Sequence, residues 1–172
     1  MANDAPILKL PEDQRVVSIV VSAGHSYWVK AGDPPMQHIA RSVDRAELVA
    51  ERGIRGDRYF NKRPGHRGQV TFMSFEAVED IRREFELPYL PVTAFRRNFI
   101  VSNIHLPDLI GRRFSIQGVE FEGTQECKPC RWMDVAVASG AWKFMQSQFR
   151  GGLRAAILCD GVIHRDVSSY TE

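Results

Sequence analysis

The chain has 172 residues, of which 44% are hydrophobic and 26% charged, a composition typical of a soluble globular protein. Its formal charge of +2 is small beside 23 basic and 21 acidic side chains, and this argues against nucleic acid as a partner. The sequence lacks the run of about 20 apolar residues that crosses a bilayer, and its polar, proline-containing start is unlike a signal peptide. We therefore expect a cytoplasmic protein without a membrane partner.

The first half of the chain begins with residues 1–13, which are polar, contain two prolines and are expected to form a flexible leader. A single domain is expected over residues 14–172. Within it, alternating apolar residues predict a strand at Arg15–Val21, whereas Gly-Asp-Pro-Pro at residues 32–35 predicts a loop. Residues 42–50 are assigned as strand or loop. Residues 53–60, with two glycines among charged side chains, predict a tight loop.

A strand is predicted at residues 69–73, and Ser74 is the expected N-cap of a helix through Phe85, because apolar residues follow at helical spacing. Further short segments lie in the second half of the chain. They are strands at residues 98–101, 113–116 and 119–123, a hairpin turn at 117–118, a helix at 141–149, and a closing hairpin of 155–159 with 162–163. Many short strands and two helices predict a mainly β fold, a β-barrel with a few helices packed on it.

Cys127 and Cys130 form a C-x-x-C pair flanked by Lys128 and Arg131, and positive neighbours favour the reactive thiolate. The alternative is that both thiols only pack in the hydrophobic core and have no reactive role. A structural zinc site would need four ligands, but besides this pair the chain has only Cys159 and scattered histidines, so the sequence argues against zinc. A thioredoxin-like dithiol would need a βαβ context, whereas this pair follows a predicted hairpin in a β-rich segment, so this interpretation is disfavoured. A lone thiolate suits a soft metal that its own cofactor already holds.

Clusters of basic side chains form a second set of candidates, because guanidinium groups bind phosphate and other planar anions. They are Arg52, Arg55, Arg58, Arg63, Arg67, Arg96, Arg97, Arg112 and Arg113, with Asp57, His66 and Asn98 among them. A solvated charged surface accounts for most of these arginines. Arg96 and Asn98 are the exception, since alternation along the predicted strand would direct both to one side.

Several segments, in this order along the chain, resemble the MOSC domain, a family named after the C-terminal part of molybdenum cofactor sulfurase. The segments are residues 53–58, 69–74, 95–99, 108–114, and 122–123 with 127–130. The resemblance implies a mainly β, barrel-like fold and a bound molybdenum cofactor (molybdopterin). By motif position it implies that Cys130 is the ligand to the metal, with Cys127 as a second candidate catalytic residue. The implied cofactor-binding residues are Arg55, Asp57, Arg58, Arg67, Arg96, Asn98 and Lys128.

Members of this family include amidoxime-reducing enzymes and bacterial proteins that give resistance to N-hydroxylated purines. The resemblance thus implies an oxidoreductase that reduces N-hydroxylated small molecules. No haem or flavin domain is recognisable, so the electron donor is expected to be a separate protein.

Two alternatives remain open. One is a sulfur carrier with a persulfide on Cys130 or Cys127. The other is a non-enzymatic module that binds an anionic ligand or a protein through its arginines. A variant of that module would bind pyridoxal phosphate, which requires a lysine for the Schiff base, and Lys128 is the nearest candidate.

Overall fold

The computed structural model describes residues 6–24, 39–63 and 66–166. In chain order its strands are β1 (Ile7–Leu8), β2 (Arg15–Val21), β3 (Arg41–Val43), β4 (Arg45–Val49), β5 (Gly53–Ile54), β6 (Val70–Ser74), β7 (Phe99–Ser102), β8 (Arg113–Ile116), β9 (Val119–Glu126), β10 (Leu153–Ile157) and β11 (Gly161–His164). The helices are α1 (Phe75–Glu84), α2 (Met133–Ala136) and α3 (Ala141–Met145), with 3-10 helices at Val92–Phe95 and Leu106–Leu109. None of the helices in these ranges is long and apolar enough to span a membrane.

The strands form two sheets, which confirms the predicted mainly β fold. The main sheet has eight strands in the order β1-β8-β9-β10-β6-β7-β2-β3, and the smaller sheet has the order β11-β4-β5. Most neighbours are antiparallel, but β6 and β7 are parallel and are connected through α1. Within the described ranges, β1 and β3 remain edges and the main sheet does not close into a barrel.

The two faces of the main sheet carry two hydrophobic cores. On the inner face, the smaller sheet packs against the main sheet, since Leu48 and Ile54 belong to the same buried cluster as Phe72. On the outer face, α1–α3 cover a second cluster that includes Met73. Phe72 and Met73 reach different cores because successive side chains of a strand point to opposite faces. The outer face carries the candidate site.

Helix α1 begins as predicted. Ser74 Oγ accepts a hydrogen bond from the Ala77 N–H over 3.0 Å, and this satisfies one of the backbone donors that a helix start leaves free. Ala77, Val78 and Ile81 are buried on the face of the helix that packs against the sheet. The helix ends at Glu84, and Phe85 is its C-cap.

In the C-terminal part of the chain, two predicted elements differ from the structure. The helix predicted at residues 141–149 ends at Met145. It cannot continue to residue 149, because Gln148 and Phe149 adopt left-handed backbone angles with φ of 55° and 58°. The predicted closing hairpin is wrong. Strand β10 pairs with β9 and β6 in the main sheet, whereas β11 pairs with β4 in the smaller one. The chain changes sheets between them, where Asp160 accepts a hydrogen bond from the Ala50 N–H over 2.7 Å.

Other predictions concern the N-terminal part of the chain. Ile7 and Leu8, within the segment expected to be a flexible leader, form β1 and pair in parallel with β8. Residues 42–50, assigned as strand or loop, contain part of β3 and all of β4. The loop predicted at residues 32–35 lies outside the described residues.

Candidate functional site

A cavity of about 120 Å³ opens on the outer face of the main sheet, beside the helices that cover it. Several separate chain segments line the cavity. The lining residues are Arg58, Tyr59, Gly68, Thr71, Phe95, Arg96, Arg97, Cys127, Lys128, Cys130, Trp132, Met133 and Arg154. The structure therefore brings both cysteines of the C-x-x-C pair together with five basic side chains.

The two cysteines occupy different positions in the cavity wall. Cys127 is 4% exposed, and its backbone N–H donates to Gly152 O over 2.7 Å. Cys130 is exposed, and its carbonyl accepts from the Met133 N–H over 3.0 Å at the start of α2. Cys130 is thus the thiol that a ligand in the cavity can reach, while Cys127 belongs to the inner wall.

Gly151 allows a close approach between the C-x-x-C turn and the chain that leads into β10. A Cβ atom at this position would overlap the carbonyl oxygen of Cys127 and lie 2.8 Å from Pro129 Cδ. The following residue, Gly152, has a φ of 96° and packs its Cα against the Phe72 carbonyl. The two glycines therefore allow the cysteine turn and β6 to pack closely against the chain that leads into β10.

Two of the lining arginines are held by neutral oxygen atoms. Arg96 is 7% exposed and donates through Nη2 to Ser22 Oγ over 3.0 Å and to Gly24 O over 2.6 Å. Arg97 donates to the carbonyls of Gly151, Phe95 and Cys127 over 2.7, 2.9 and 3.3 Å. Because neutral acceptors do not cancel a guanidinium charge, Arg97 adds positive potential to the cavity.

The other three cations differ in their partners. Arg58 Nη1 lies 3.6 Å from Asp57 Oδ2, in an ion pair with both side chains at least nine-tenths buried. Lys128 is exposed, Arg154 is half-buried, and neither makes an ion pair with a carboxylate in the described ranges. The cavity therefore has an excess of positive charge, which favours an anionic ligand.

Four predicted cofactor-binding residues, Arg55, Asp57, Arg67 and Asn98, do not line the cavity. Arg67 forms an ion pair with Glu122, and Arg55 forms one with Glu47 over 2.6 Å at the surface. Asn98 is 2% exposed and lies behind the wall.

The strand alternation that would direct Arg96 and Asn98 to one side is wrong. Arg96 caps the 3-10 helix in a left-handed conformation (φ 55°, ψ 35°), and β7 begins only at Phe99.

Asn98 and Asp57 support the wall from behind. Asn98 Oδ1 accepts from the backbone N–H and from Oγ1 of Thr71, over 3.1 and 3.0 Å. Asp57 accepts from the backbone N–H groups of Ser22 and Tyr59, over 3.2 and 3.1 Å. Both residues therefore position lining residues and do not themselves face the cavity.

Sequence reasoning missed seven lining residues, which are Tyr59, Gly68, Thr71, Phe95, Trp132, Met133 and Arg154. For Arg154 a signal was present, since it is the one charged residue in the apolar strand β10 and a charge at that place marks a position facing away from the core. Tyr59 lies between two cations, with Arg58 Cζ and Lys62 Nζ each 4.7 Å from its ring centroid. No comparable signal in the sequence marks Tyr59, Thr71 or Trp132.

The pKa of His66 is lowered by burial and by positive charges near the cavity. Burial lowers the pKa of this imidazole, and Arg63, Arg154 and Lys62 lower it further. Its ring centroid lies 6.5 Å from that of Tyr59. His66 is therefore held as the neutral imidazole at neutral pH.

The donor atoms around the cavity restrict which metal could bind. No group of three or more His, Cys, Asp or Glu side chains suited to an ion occurs in the part of the chain that the structure describes. Cys159 lies elsewhere and accepts a hydrogen bond from the Glu120 N–H over 3.2 Å. The cavity thus offers the exposed Cys130 thiol and a set of cations. This donor set fits a metal that arrives with ligands and negative charge of its own.

Fold and site together define a mainly β protein with an exposed cysteine in a cationic cavity. The model of the MOSC domain family matches residues 57–167, and the chain belongs to this family. No curated protein sequence matches the chain significantly.

Solved structures share the fold. The YuaD protein from Bacillus subtilis is 17% identical, with 88% of this chain and 91% of that chain covered and a TM-score of 0.67. YiiM from Escherichia coli is 18% identical, with 92% and 72% covered and a TM-score of 0.62. YiiM from Geobacillus stearothermophilus is 15% identical, with 88% and 71% covered and a TM-score of 0.63.

Proposed function

We propose that this MOSC protein binds molybdenum cofactor in the cavity, with Cys130 as the protein ligand to the metal. We further propose that it reduces N-hydroxylated small molecules with electrons from a separate donor protein. The observation that carries the proposal is the exposed Cys130 thiol in a cavity that five cations line. Family membership supports the choice of cofactor.

The residues of the cavity fit an anionic, metal-bearing group. A thiolate is a soft ligand, and Cys130 would complete the coordination of a metal already held by sulfur atoms of the cofactor. Arg58, Arg154 and Lys128 would bind the anionic part, because guanidinium and ammonium groups pair strongly with phosphate oxygens. The cofactor, when bound, would supply two-electron redox chemistry at its metal.

The remaining lining residues shape the space around the thiol. Phe95 and Met133 are buried members of the outer core, and Trp132 packs against that core. Their apolar surface lowers the local dielectric constant on that side of the cavity, which strengthens the attraction between the cations and an anion. Thr71 donates its hydroxyl proton to Asn98 Oδ1 over 3.0 Å and so helps to hold the wall in place. Tyr59 adds an aromatic ring to the lining.

The test is the metal and pterin content of protein purified from a host that makes the cofactor. We expect molybdenum and pterin in the wild type and in Cys159→Ala, whose thiol lies outside the cavity, and loss of molybdenum in Cys130→Ala. Reduction of benzamidoxime by reduced methyl viologen should follow the molybdenum content. Wild-type protein without molybdenum or pterin, with benzamidoxime reduction unchanged in Cys130→Ala, would overturn the proposal.

A second candidate function is sulfur carriage, and the exposure of the Cys130 thiol favours it as well. A persulfide on this residue would need no tightly bound cofactor. Intact-mass measurement of freshly purified protein separates the two functions. A gain of one sulfur that is removed by dithiothreitol and absent in Cys130→Ala supports carriage, whereas bound pterin supports the reductase.

A further inference from the structure

Arg97 joins three segments of the cavity wall through one side chain. Its Nε donates to Gly151 O over 2.7 Å, Nη1 to Phe95 O over 2.9 Å, and Nη2 to Cys127 O over 3.3 Å. These carbonyls belong to the chain before β10, to the 3-10 helix before β7, and to the turn after β9. One guanidinium thus fixes the three segments relative to one another.

Cys127 is held from both sides of its backbone. Its carbonyl accepts from Arg97, and its N–H donates to Gly152 O over 2.7 Å. The close approach of Gly151 to the Cys127 carbonyl leaves no space for the turn to move inward. Three residues later Cys130 is exposed. The turn therefore has one anchored end and one end that faces the ligand.

We propose that Arg97 is a positioning residue that selects the accessible thiol of the C-x-x-C pair. By binding the Cys127 carbonyl it keeps the Cys127 thiol in the wall and leaves Cys130 as the thiol that meets a ligand or a reagent. This inference goes beyond the proposed function, because it holds whatever group the cavity binds. It assigns Cys127 a structural position and removes it from the reacting groups.

Arginine is suited to this task by its shape. The guanidinium carries donors at the three corners of a plane, so it can reach three carbonyls in different directions, whereas the ammonium of lysine donates from a single point. Arg97 makes no ion pair with a carboxylate in the described ranges, so its charge strengthens the bonds to the neutral carbonyls. A lysine would hold fewer of the three segments.

The test measures the rate at which iodoacetamide alkylates each cysteine, resolved by peptide mass spectrometry. The full chain is produced in a host that lacks molybdenum cofactor, so that no cofactor can cover Cys130. The variants are Arg97→Met, which keeps the side-chain length without donors, and Arg97→Lys. The matched control is Arg82→Met, since Arg82 also donates to a backbone carbonyl, that of Leu90, over 2.6 and 3.1 Å, and does not line the cavity.

In the wild type and in Arg82→Met we expect fast alkylation of Cys130 and slow alkylation of Cys127. Arg97→Met should raise the rate at Cys127 by about tenfold or more, because losing charge-assisted hydrogen bonds lets the turn open locally. Arg97→Lys should raise it by a smaller factor. The rate at Cys159 is the internal reference and should not change.

Protection of Cys127 that is unchanged in Arg97→Met would overturn the inference. A parallel rise at Cys127 and Cys159 would also overturn it, because it would show a general loosening of the fold. If Arg97→Met fails to fold, Arg97→Lys decides, and wild-type protection of Cys127 in that variant counts against the inference. No metal takes part in the assay, so failure of the proposed function to appear leaves this result unaffected.

Discussion

Asn98 Nδ2 donates a hydrogen bond to Asp57 Oδ2 over 3.3 Å, and both residues are almost fully buried. The bond joins the start of β7 to the loop that carries Arg58 and Tyr59 into the cavity wall. Asn98 also donates to Val20 O over 3.2 Å. The two residues thus connect two segments of the cavity wall and do not themselves line the cavity.

Replacing this amide by a carboxylate should destabilise the protein. Asn98→Asp removes the Nδ2 donor and places a second buried carboxylate beside Asp57, which we expect to lower the free energy of unfolding by about 3 kcal/mol. Urea unfolding at pH 7 measures the change. Asn103→Asp, at an exposed position, is the control and should cost about 1 kcal/mol or less. Equal stability of the two variants would contradict this account.

Gly152 and Gly118 provide a matched pair of positive-φ glycines. A Cβ at Gly118 (φ 82°) meets nothing within 4 Å, so Gly118→Ala should cost the backbone strain alone, about 1–2 kcal/mol. A Cβ at Gly152 (φ 96°) would overlap the Phe72 carbonyl, where β10 pairs with β6. Gly152→Ala should therefore lose at least about 2 kcal/mol more. Thermal unfolding compares them, and similar midpoints would show that the backbone relaxes at Gly152.

The pKa of His66 should respond to the charge of Arg154. After burial and Arg63, Arg154 is the next contribution that lowers this pKa, so Arg154→Met should raise it toward its ordinary value of 6.5. Titration of the imidazole resonances by NMR, assigned with His66→Gln, measures the change. Arg82→Met should leave the pKa where it is. A downward shift in Arg154→Met would contradict the predicted charge effect.

The same lowered pKa makes stability depend on pH. Because folding lowers the pKa of His66, the unfolded chain binds the proton more readily than the folded chain. The contribution of His66 to stability is therefore complete above pH 6.5 and is lost as the pH falls from 6.5 through the folded-state pKa. Urea unfolding of the wild type and His66→Gln across this range should show a shallower pH dependence in the variant. Parallel curves would exclude His66 as the source.

The N-cap of α1 offers a local test of the fold. Ser74→Ala removes the oxygen that accepts from the Ala77 N–H and should lower the free energy of unfolding by about 1 kcal/mol. Ser74→Asp retains an acceptor at the cap and should stay near the wild type. Thermal unfolding measures both. A loss in Ser74→Asp as large as in Ser74→Ala would show that the cap oxygen is not the stabilising element.

Features encoded by neighbouring residues could be predicted from the sequence. The Ser74 cap was one of them, and the hairpin at Gln117 and Gly118 was another. Both turn residues have positive φ, 50° and 82°, as two-residue hairpin turns require. Cys130 and Lys128 line the cavity, and it was the resemblance to the MOSC family that placed both at one site.

Features that depend on distant partners could not be predicted. Arg67 forms an ion pair with Glu122, 55 residues further along the chain, and does not line the cavity. The pairing of β11 with β4 brings together residues 161–164 and 45–48, which no local pattern indicates. Arg154 reaches the site because β10 lies between β9 and β6. In each case the deciding contact is set by the arrangement of the sheets and not by adjacent residues.

The central place of β10 in the main sheet also sets the order in which the protein can be built. Without β10, the sheet would consist of two separate pieces, β1-β8-β9 and β6-β7-β2-β3. Synthesis proceeds from the N-terminus, so both pieces leave the ribosome before the strand that joins them, and pairings this distant in sequence form slowly. A nascent chain therefore has neither the continuous sheet nor Arg154 in the cavity until β10 has emerged, and any ligand of the site must be acquired after that step.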